Sequence, residues 1–319
     1  MRSTLLTCLS IFLTIGSAHS FAPSRPKTSA TLNPIILRGG ATVPLSSLPI
    51  ATLGEAMSVV SSTLQSGPCG VLALWAVTWS VVLPLTLYKK IYGISVAYGF
   101  SVFAVGLALL QVFPGVNPAS AGPLLAGACM FYGARLGGYL LLRDAVRNQP
   151  STFKNGSILS RITFSLSLAL FYAFLTTPAM YALRDPATST IAMSGAYLAW
   201  FGAVVEAVAD AQKLLVKQAN KDSEGKFVGP TSLVYRISRH PNYLGEVLFW
   251  VGLLVGGAPS FGQSIPAWAC SILGVAGIVS IMTKSTSKLE TQQAEKYGGQ
   301  DKYEAYKSQV KWPLLPFVK

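Results

Sequence analysis

Tyr235–Trp250 reads YRISRHPNYLGEVLFW, and the fold follows outward from this turn. Arg236 and Arg239 precede His240, one of only two histidines, and the sequence then becomes apolar. Pro241 suits the first turn of a helix, where its missing N–H has no partner to lose. Asn242 and Glu246 fall four apart, on one face of the helix that follows. A helix N-terminus preceded by two arginines is an anion site, with backbone N–H groups and guanidinium forks converging. Glu246 enters a membrane-like segment, where an ionisable side chain is costly and marks function by default. A plainer reading is a basic loop at the membrane surface with a helix cap. The crowding of Arg, His, Asn, Tyr and Glu into one short turn argues against it.

The 319-residue chain is 51% hydrophobic and only 12% charged, with a net charge of +13. That balance excludes an ordinary soluble domain and fits an all-α, polytopic bundle of transmembrane helices. Basic loops flanking apolar spans account for the positive sum, so no nucleic-acid partner is implied. The cysteines Cys8, Cys69, Cys129 and Cys270 lie apart. With no CxxC or Cys/His cluster, neither a zinc site nor a disulfide framework is supported, and no metal is expected.

Residues 1–20 have a signal-peptide layout: Arg2, an apolar run Leu5–Ile15, then Gly16, Ser17 and Ala18. Residues 21–62 are rich in Ser, Thr, Ala and Pro, carry Arg25, Lys27 and Arg38, and hold one acid, Glu55. That is transit-peptide chemistry, and a disordered segment is expected there. The junction Ser17-Ala18-His19-Ser20-Phe21-Ala22-Pro23 resembles the bipartite presequences of complex plastids, in which a transit peptide beginning with Phe follows a signal peptide. A plastid membrane is the expected destination, with the endoplasmic reticulum as the alternative. The membrane domain then covers 63–319.

Seven apolar segments follow: Pro68–Tyr88, Ile91–Phe113, Gly122–Leu142, Ile162–Leu183, Ser189–Gln212, Tyr243–Gly257 and Ile265–Thr283. Most reach the roughly 20 residues a bilayer requires. Lys89/Lys90, the Arg143–Arg161 loop, the Lys213–Arg239 loop and the Lys284–Lys319 tail hold nearly all the cations of this domain. Seven spans put all four on one side, as the positive-inside rule requires. An error of one span would scramble that pattern.

Three polar sets lie within or beside these spans. The third span contains Tyr132-Gly-Ala-Arg135-Leu-Gly-Gly-Tyr139, with Arg135 too deep to snorkel comfortably. Arg135 is expected to pair with an acid such as Glu206 or Asp210. The fifth span closes with Glu206, Asp210, Lys213 and Lys217, whose intervals place them on one helix face. The opening turn supplies Arg236, Arg239, His240, Asn242, Tyr243 and Glu246. Together they gather arginines, acids and amides at one end of the bundle. That end suits a phosphate-rich cofactor, with arginines on phosphates and Asn and Glu on amide or ribose groups. No Rossmann or P-loop fingerprint is present.

Arg239-His240-Pro241-Asn242-Tyr243-Leu244-Gly245-Glu246, preceded by Glu206-Ala-Val-Ala-Asp210-Ala-Gln212-Lys213, resembles the steroid 5α-reductase C-terminal superfamily. Within it the likeness is to the membrane-protein branch with the RHPNYxGE signature. It runs from about Gly122 to the C-terminus and includes Lys302-Tyr-Glu-Ala-Tyr306, Pro313 and Pro316. It implies a seven-helix reductase that holds NADPH between its C-terminal helices and passes hydride to the β-carbon of an enone in a sterol-like or isoprenoid lipid. Asn242 and Glu246 match an Asn-x-x-x-Glu cofactor contact, and Asp210 matches a cofactor-contacting Asp. Glu206 stands where better-known reductases carry Asn. Tyr132 and Arg135 match a Tyr-x-x-Arg pair whose tyrosine polarises the substrate carbonyl, which makes them the implied catalytic residues.

Two departures stand beside the likeness. Those reductases pair the tyrosine with a glutamate from an earlier helix, yet no acid lies in the first two spans here. A His-x-x-x-Tyr cofactor contact is also missing around Ser285–Gln292. Membrane methyltransferases of the isoprenylcysteine type share an Arg-His-Pro-x-Tyr-x-Gly turn, which makes S-adenosylmethionine the alternative cofactor. Glu206-x-x-x-Asp210 together with Asn242-x-x-x-Glu246 favours the reductase. A non-catalytic scaffold or lipid-binding bundle is the third reading. The expected partners are the bilayer and a lipid-soluble small molecule.

Overall fold

The computed structural model describes residues 35–36, 42–43, 50–67, 69–147, 156–186, 189–220 and 225–315. The chain divides into two units between Glu55 and Ala56. The first unit contributes a minimal antiparallel ladder, β1 (Ile35–Ile36) with β2 (Thr42–Val43), in which Ile35 faces Val43. Helix α1 (Ile50–Ser66) begins in the same unit. The stretch 1–20, expected to be a signal peptide, lies outside the described residues, as does most of 21–62. Because α1 already runs through residue 62, helical chain starts before 63, the boundary that composition gives. The Ser- and Thr-rich makeup of 50–62 hid a helix that also carries Met57, Val59 and Val60.

The second unit is built of helices and connecting turns, with no strand among its described residues. Its helices are α2 (Gly70–Tyr88), α3 (Val96–Val112), α4 (Ala121–Arg147), α5 (Ile158–Arg184), α6 (Thr190–Ala219), α7 (Pro241–Gly257), α8 (Ile265–Tyr297) and α9 (Asp301–Gln309). Six of them, α2 and α4 to α8, are long and apolar enough to cross a membrane, α7 with the help of the turn Ala258–Ser260. The segment Ile91–Phe113 is shorter than its composition suggests. Lys90–Ile94 forms a 3-10 turn, Ser95 leaves helical geometry, and only 17 residues remain in α3. Tyr92 explains the break: it is buried in that turn and donates to Asp144 Oδ2 at 2.6 Å.

Hydrogen bonds sort the connections into two ends. At one end Lys89 pairs with Asp144 at 2.8 Å and Arg161 donates to the Leu87 carbonyl at 2.7 Å. Gln212 reaches Ser232 there, and Arg239 reaches Glu290. At the other end Arg184 donates to the carbonyls of Thr63, Leu64 and Gly67, Gln65 to that of Val112, and Ser260 to that of Asp185. Helices α2 to α8 therefore alternate in direction, α3 included. The cationic loops gather at one end, the order that loop charge requires.

Local chemistry sets the helix starts. Ser157, Ser189 and Ser264 each accept a backbone N–H three residues on, at 3.2, 3.2 and 3.3 Å, satisfying donors that a helix start leaves open. Pro241 opens α7, as its fixed φ favours. Within lipid, helices associate through close packing rather than through apolar burial, so small residues mark the tightest seams. One seam joins α6 to α7: a methyl placed on Gly245 would lie 2.6 Å from Glu206 N and 2.7 Å from Gly202 O. Another joins α3 to α4, where a methyl on Gly99 would lie 2.7 Å from the Gly137 Cα. These seams fix which polar side chains meet inside. Trp250, Tyr132, Phe249, Leu125 and Leu175 fill the space between.

Candidate functional site

The α3/α4 seam brings Tyr98 against Tyr132, and the α6/α7 seam brings Glu206 beside the Gly245–Glu246 turn. The first result is a buried hydrogen-bond chain. Tyr132 donates to the Tyr98 hydroxyl at 3.2 Å, and Tyr98 donates to Glu246 Oε1 at 2.7 Å. Trp250 Nε1 donates to the same Tyr98 oxygen at 2.8 Å. One hydroxyl thus accepts two hydrogen bonds and gives one, which exhausts its capacity. Aromatic rings seal the chain: Tyr132 stacks on Phe249 with centroids 4.1 Å apart and planes at 5°, and Tyr172 lies 4.9 Å from Tyr98. Tyr132 has 0% exposure and Glu246 6%.

Beside it lies an ionic cluster. Arg135 donates from Nη1 to Asp210 Oδ2 at 2.8 Å, and its Nη2 sits 2.7 Å from Glu206 Oε1. The second contact is an ion pair by distance but is not aligned as a hydrogen bond, so Nη2 stays without a hydrogen-bond partner, as do Arg135 Nε and Glu206 Oε2. The expected pairing of Arg135 with an acid is present twice over. Glu206 and Asp210 are 3% and 8% exposed, so two carboxylates share one guanidinium in a poorly solvated place. Arg143 and Lys213 also act on the charge of Asp210, and Tyr243 interacts with both Asp210 and Glu246. Asn242 is half-buried on the first turn of α7, and its side chain makes no hydrogen bond among the described residues.

The arginine-histidine turn is arranged differently from a free anion site. Arg239 donates from Nη2 to Glu290 Oε2 at 2.6 Å, from Nε to the same oxygen at 3.0 Å, and from Nη1 to the Val310 carbonyl at 2.6 Å. His240 Nε2 is 2.7 Å from Glu290 Oε1 and presents its N–H to that carboxylate. Backbone N–H groups of Arg239 and His240 bond to the carbonyls of Trp312 and Pro313 at 3.0 and 3.1 Å. Arg236, on the 3-10 turn Leu233–Arg236, is exposed. Tyr235 from that turn donates to the Ala209 carbonyl at 3.3 Å, and Tyr306 donates to the Tyr235 carbonyl at 3.0 Å. Both phenols lie outside the spans, and burial pushes each above the usual tyrosine range, so they stay neutral donors at pH 7.

Of the residues singled out in the sequence, Tyr132 and Glu246 meet through Tyr98. Arg135, Glu206, Asp210, Lys213 and Tyr243 form the adjoining cluster. Arg239 and His240 are turned to the C-terminal segment, and Arg236 is exposed. Sequence reasoning missed Tyr98, Trp250 and Glu290. Tyr98 looks like one more aromatic in an apolar run, and Glu290 like a solvated charge past the last span. Only the glycine seams could have hinted that Tyr98 faces Tyr132.

A family model described as "Protein of unknown function (DUF1295)" matches residues 88–310, which covers Tyr98, both polar clusters and Glu290. The chain belongs to this family. DUF1295 is associated with steroid 5α-reductase-like membrane proteins. No curated protein and no solved structure matches the chain.

Proposed function

We propose that this DUF1295 protein is an NADPH-dependent reductase of a carbonyl-conjugated double bond in a sterol-like or isoprenoid lipid, of the RHPNYxGE branch. The observation that carries the reading is the unfilled hydrogen-bonding capacity of the Arg135–Glu206–Asp210 cluster, beside a tyrosine tied to a buried carboxylate. Polar groups left unpartnered in a low-dielectric interior are costly, and a polar ligand would relieve them. The donor and acceptor set suits a dinucleotide. Glu206 Oε2 accepts, Arg135 Nε and the Asn242 amide donate, and Arg143, Lys213 and Arg236 supply cations for phosphates. Bound there, NADPH would supply a hydride.

The residues of the chain would do the rest. Tyr132 would donate its hydrogen bond to the substrate carbonyl instead of to Tyr98, stabilising the negative charge that develops on that oxygen. Tyr98 would keep its own proton on Glu246, which holds the pair in register. The aromatic wall of Phe249, Trp250 and Tyr172 would keep water out, and a lipid-soluble substrate suits it. The carboxylate missing from the first two spans is then supplied from α7, through Tyr98. We also infer a plastid membrane as the site of action, from the presequence-like start of the chain.

The test is hydride transfer. Purified protein, NADPH carrying deuterium at the reactive carbon, and a panel of enone lipids are incubated and the products read by mass spectrometry. Deuterium at the β-carbon of a reduced lipid sustains the reading. Methyl transfer from S-adenosylmethionine to the same panel would replace it with the methyltransferase.

A further inference from the structure

Glu290 has no place in the chemistry above, yet it is among the most heavily engaged carboxylates of the described residues. It stands on the extension of α8 beyond the apolar stretch that ends at Thr283. Both its oxygens are used: Oε1 by His240 Nε2 at 2.7 Å and Arg239 Nε at 3.2 Å, Oε2 by Arg239 Nε at 3.0 Å and Nη2 at 2.6 Å. The side chains of Arg239 and His240 are 10% and 2% exposed. Around them, Ser238 Oγ and two backbone N–H groups bond to carbonyls of Trp312 and Pro313. Every polar group of 238–240 named here is thus anchored to α8 or to the 310–313 segment.

The next residues are Pro241, Asn242 and Tyr243, and the ring of Tyr243 stacks over His240 with centroids 6.0 Å apart at 18°. The turn that carries Asn242 is therefore held by Glu290, the one side chain that binds both Arg239 and His240, together with backbone carbonyls of Val310, Trp312 and Pro313. We propose that Glu290 is a positioning residue for the nucleotide half of the site, holding Arg239 and His240 so that the first turn of α7 is preformed. It follows that Arg239 and His240 act as struts rather than as phosphate ligands. This rests on the reductase reading for its ligand, but its geometric core does not.

The experiment compares the full-length wild type, Glu290→Gln, Glu290→Asp and a control, Lys89→Gln, which breaks an ion pair at the same end of the bundle but away from the turn. Two quantities are read: amide hydrogen exchange over 241–246, and the rise in thermal midpoint with NADPH. Glu290→Gln is expected to speed exchange at 241–246 at least tenfold and to weaken apparent NADPH affinity at least tenfold. Glu290→Asp should recover part of both, and Lys89→Gln should change neither. Unchanged exchange at 241–246 in Glu290→Gln overturns the proposal whatever NADPH does. Faster exchange with undiminished NADPH affinity overturns its functional half. If the wild type itself shows no NADPH response, the reductase reading falls, and the exchange result alone decides the role of Glu290 in building the turn. Should Glu290→Gln fail to fold, the same comparison is made with Glu290→Asp against Lys89→Gln.

Discussion

The Tyr98 hydroxyl and the Arg135 guanidinium are both buried between helices, but one is saturated with partners and the other is not. Tyr98 accepts from Tyr132 and Trp250 and donates to Glu246, leaving no capacity over. Arg135 reaches two carboxylates yet leaves Nε unpaired, and Glu206 keeps Oε2 without a donor. A saturated network fixes geometry, because any movement breaks a bond that water cannot replace. An unsaturated one marks the place where a ligand would be stabilised. The two clusters thus divide the site into a rigid half and a receptive half.

Breaking the receptive half should have the largest effect. Arg135→Met leaves Glu206 and Asp210 facing each other without their cation, and removing one partner of a buried ion pair typically costs about 3–5 kcal/mol. Unfolding followed by circular dichroism in detergent should show a loss of that order, and adding Glu206→Gln to Arg135→Met should restore part of it. If Arg135→Met costs nothing, the cluster is better solvated than its burial indicates.

Next comes the seam that sets the two halves side by side. In Gly245→Ala the new methyl meets Glu206 N at 2.6 Å, and overpacking of this kind costs ~1–3 kcal/mol. Gly138→Ala, where nothing lies within 4 Å, should be close to neutral in the same unfolding measurement. Equal losses at the two glycines would mean that α6 and α7 are not held backbone to backbone.

Tyr98→Phe sharpens the contrast. It removes one hydroxyl shared by Glu246, Trp250 and Tyr132. The Tyr132 hydroxyl is close enough to turn to Glu246, so the net cost is that of about one buried group left unsatisfied, about 1–3 kcal/mol. Stability should therefore fall, while the thermal response to NADPH proposed for the other half should persist. Glu206→Gln should do the reverse, disturbing the NADPH response more than the fold. The smallest stability effect is expected for Arg236→Ala, within about 0.5 kcal/mol because the side chain is exposed. Its NADPH affinity, read by titration, should nevertheless fall about tenfold, which corresponds to ~1.4 kcal/mol.

Much of this molecule was legible in its sequence for one reason: loop charge constrains the number of crossings independently of span length. Alternation of the cationic loops required seven crossings, and α2 to α8 alternate accordingly, even though α3 is too short to qualify on length alone. The acids on α6 and the deep arginine on α4 were legible because charge in lipid has few destinations. Arg239 and His240 looked like anion ligands because sequence shows the donors of a turn but not the acceptor, Glu290, that arrives from 50 residues away. Tyr98 stayed hidden because a tyrosine in an apolar span carries no signal until its neighbour is known. The break at Tyr92 was equally silent, since it depends on a bond to Asp144 across the bundle.

Thermal stability of the purified protein without ligand and with NADPH, NADP⁺ or S-adenosylmethionine tests the receptive half most directly. A ligand that binds only the folded state raises the midpoint by mass action, at 100 times its dissociation constant by the equivalent of about 2.7 kcal/mol. A rise with NADPH that is lost in Glu206→Gln and kept in Tyr98→Phe is the result expected here. A rise with S-adenosylmethionine alone, or no rise with any ligand in protein shown to be folded, would contradict it.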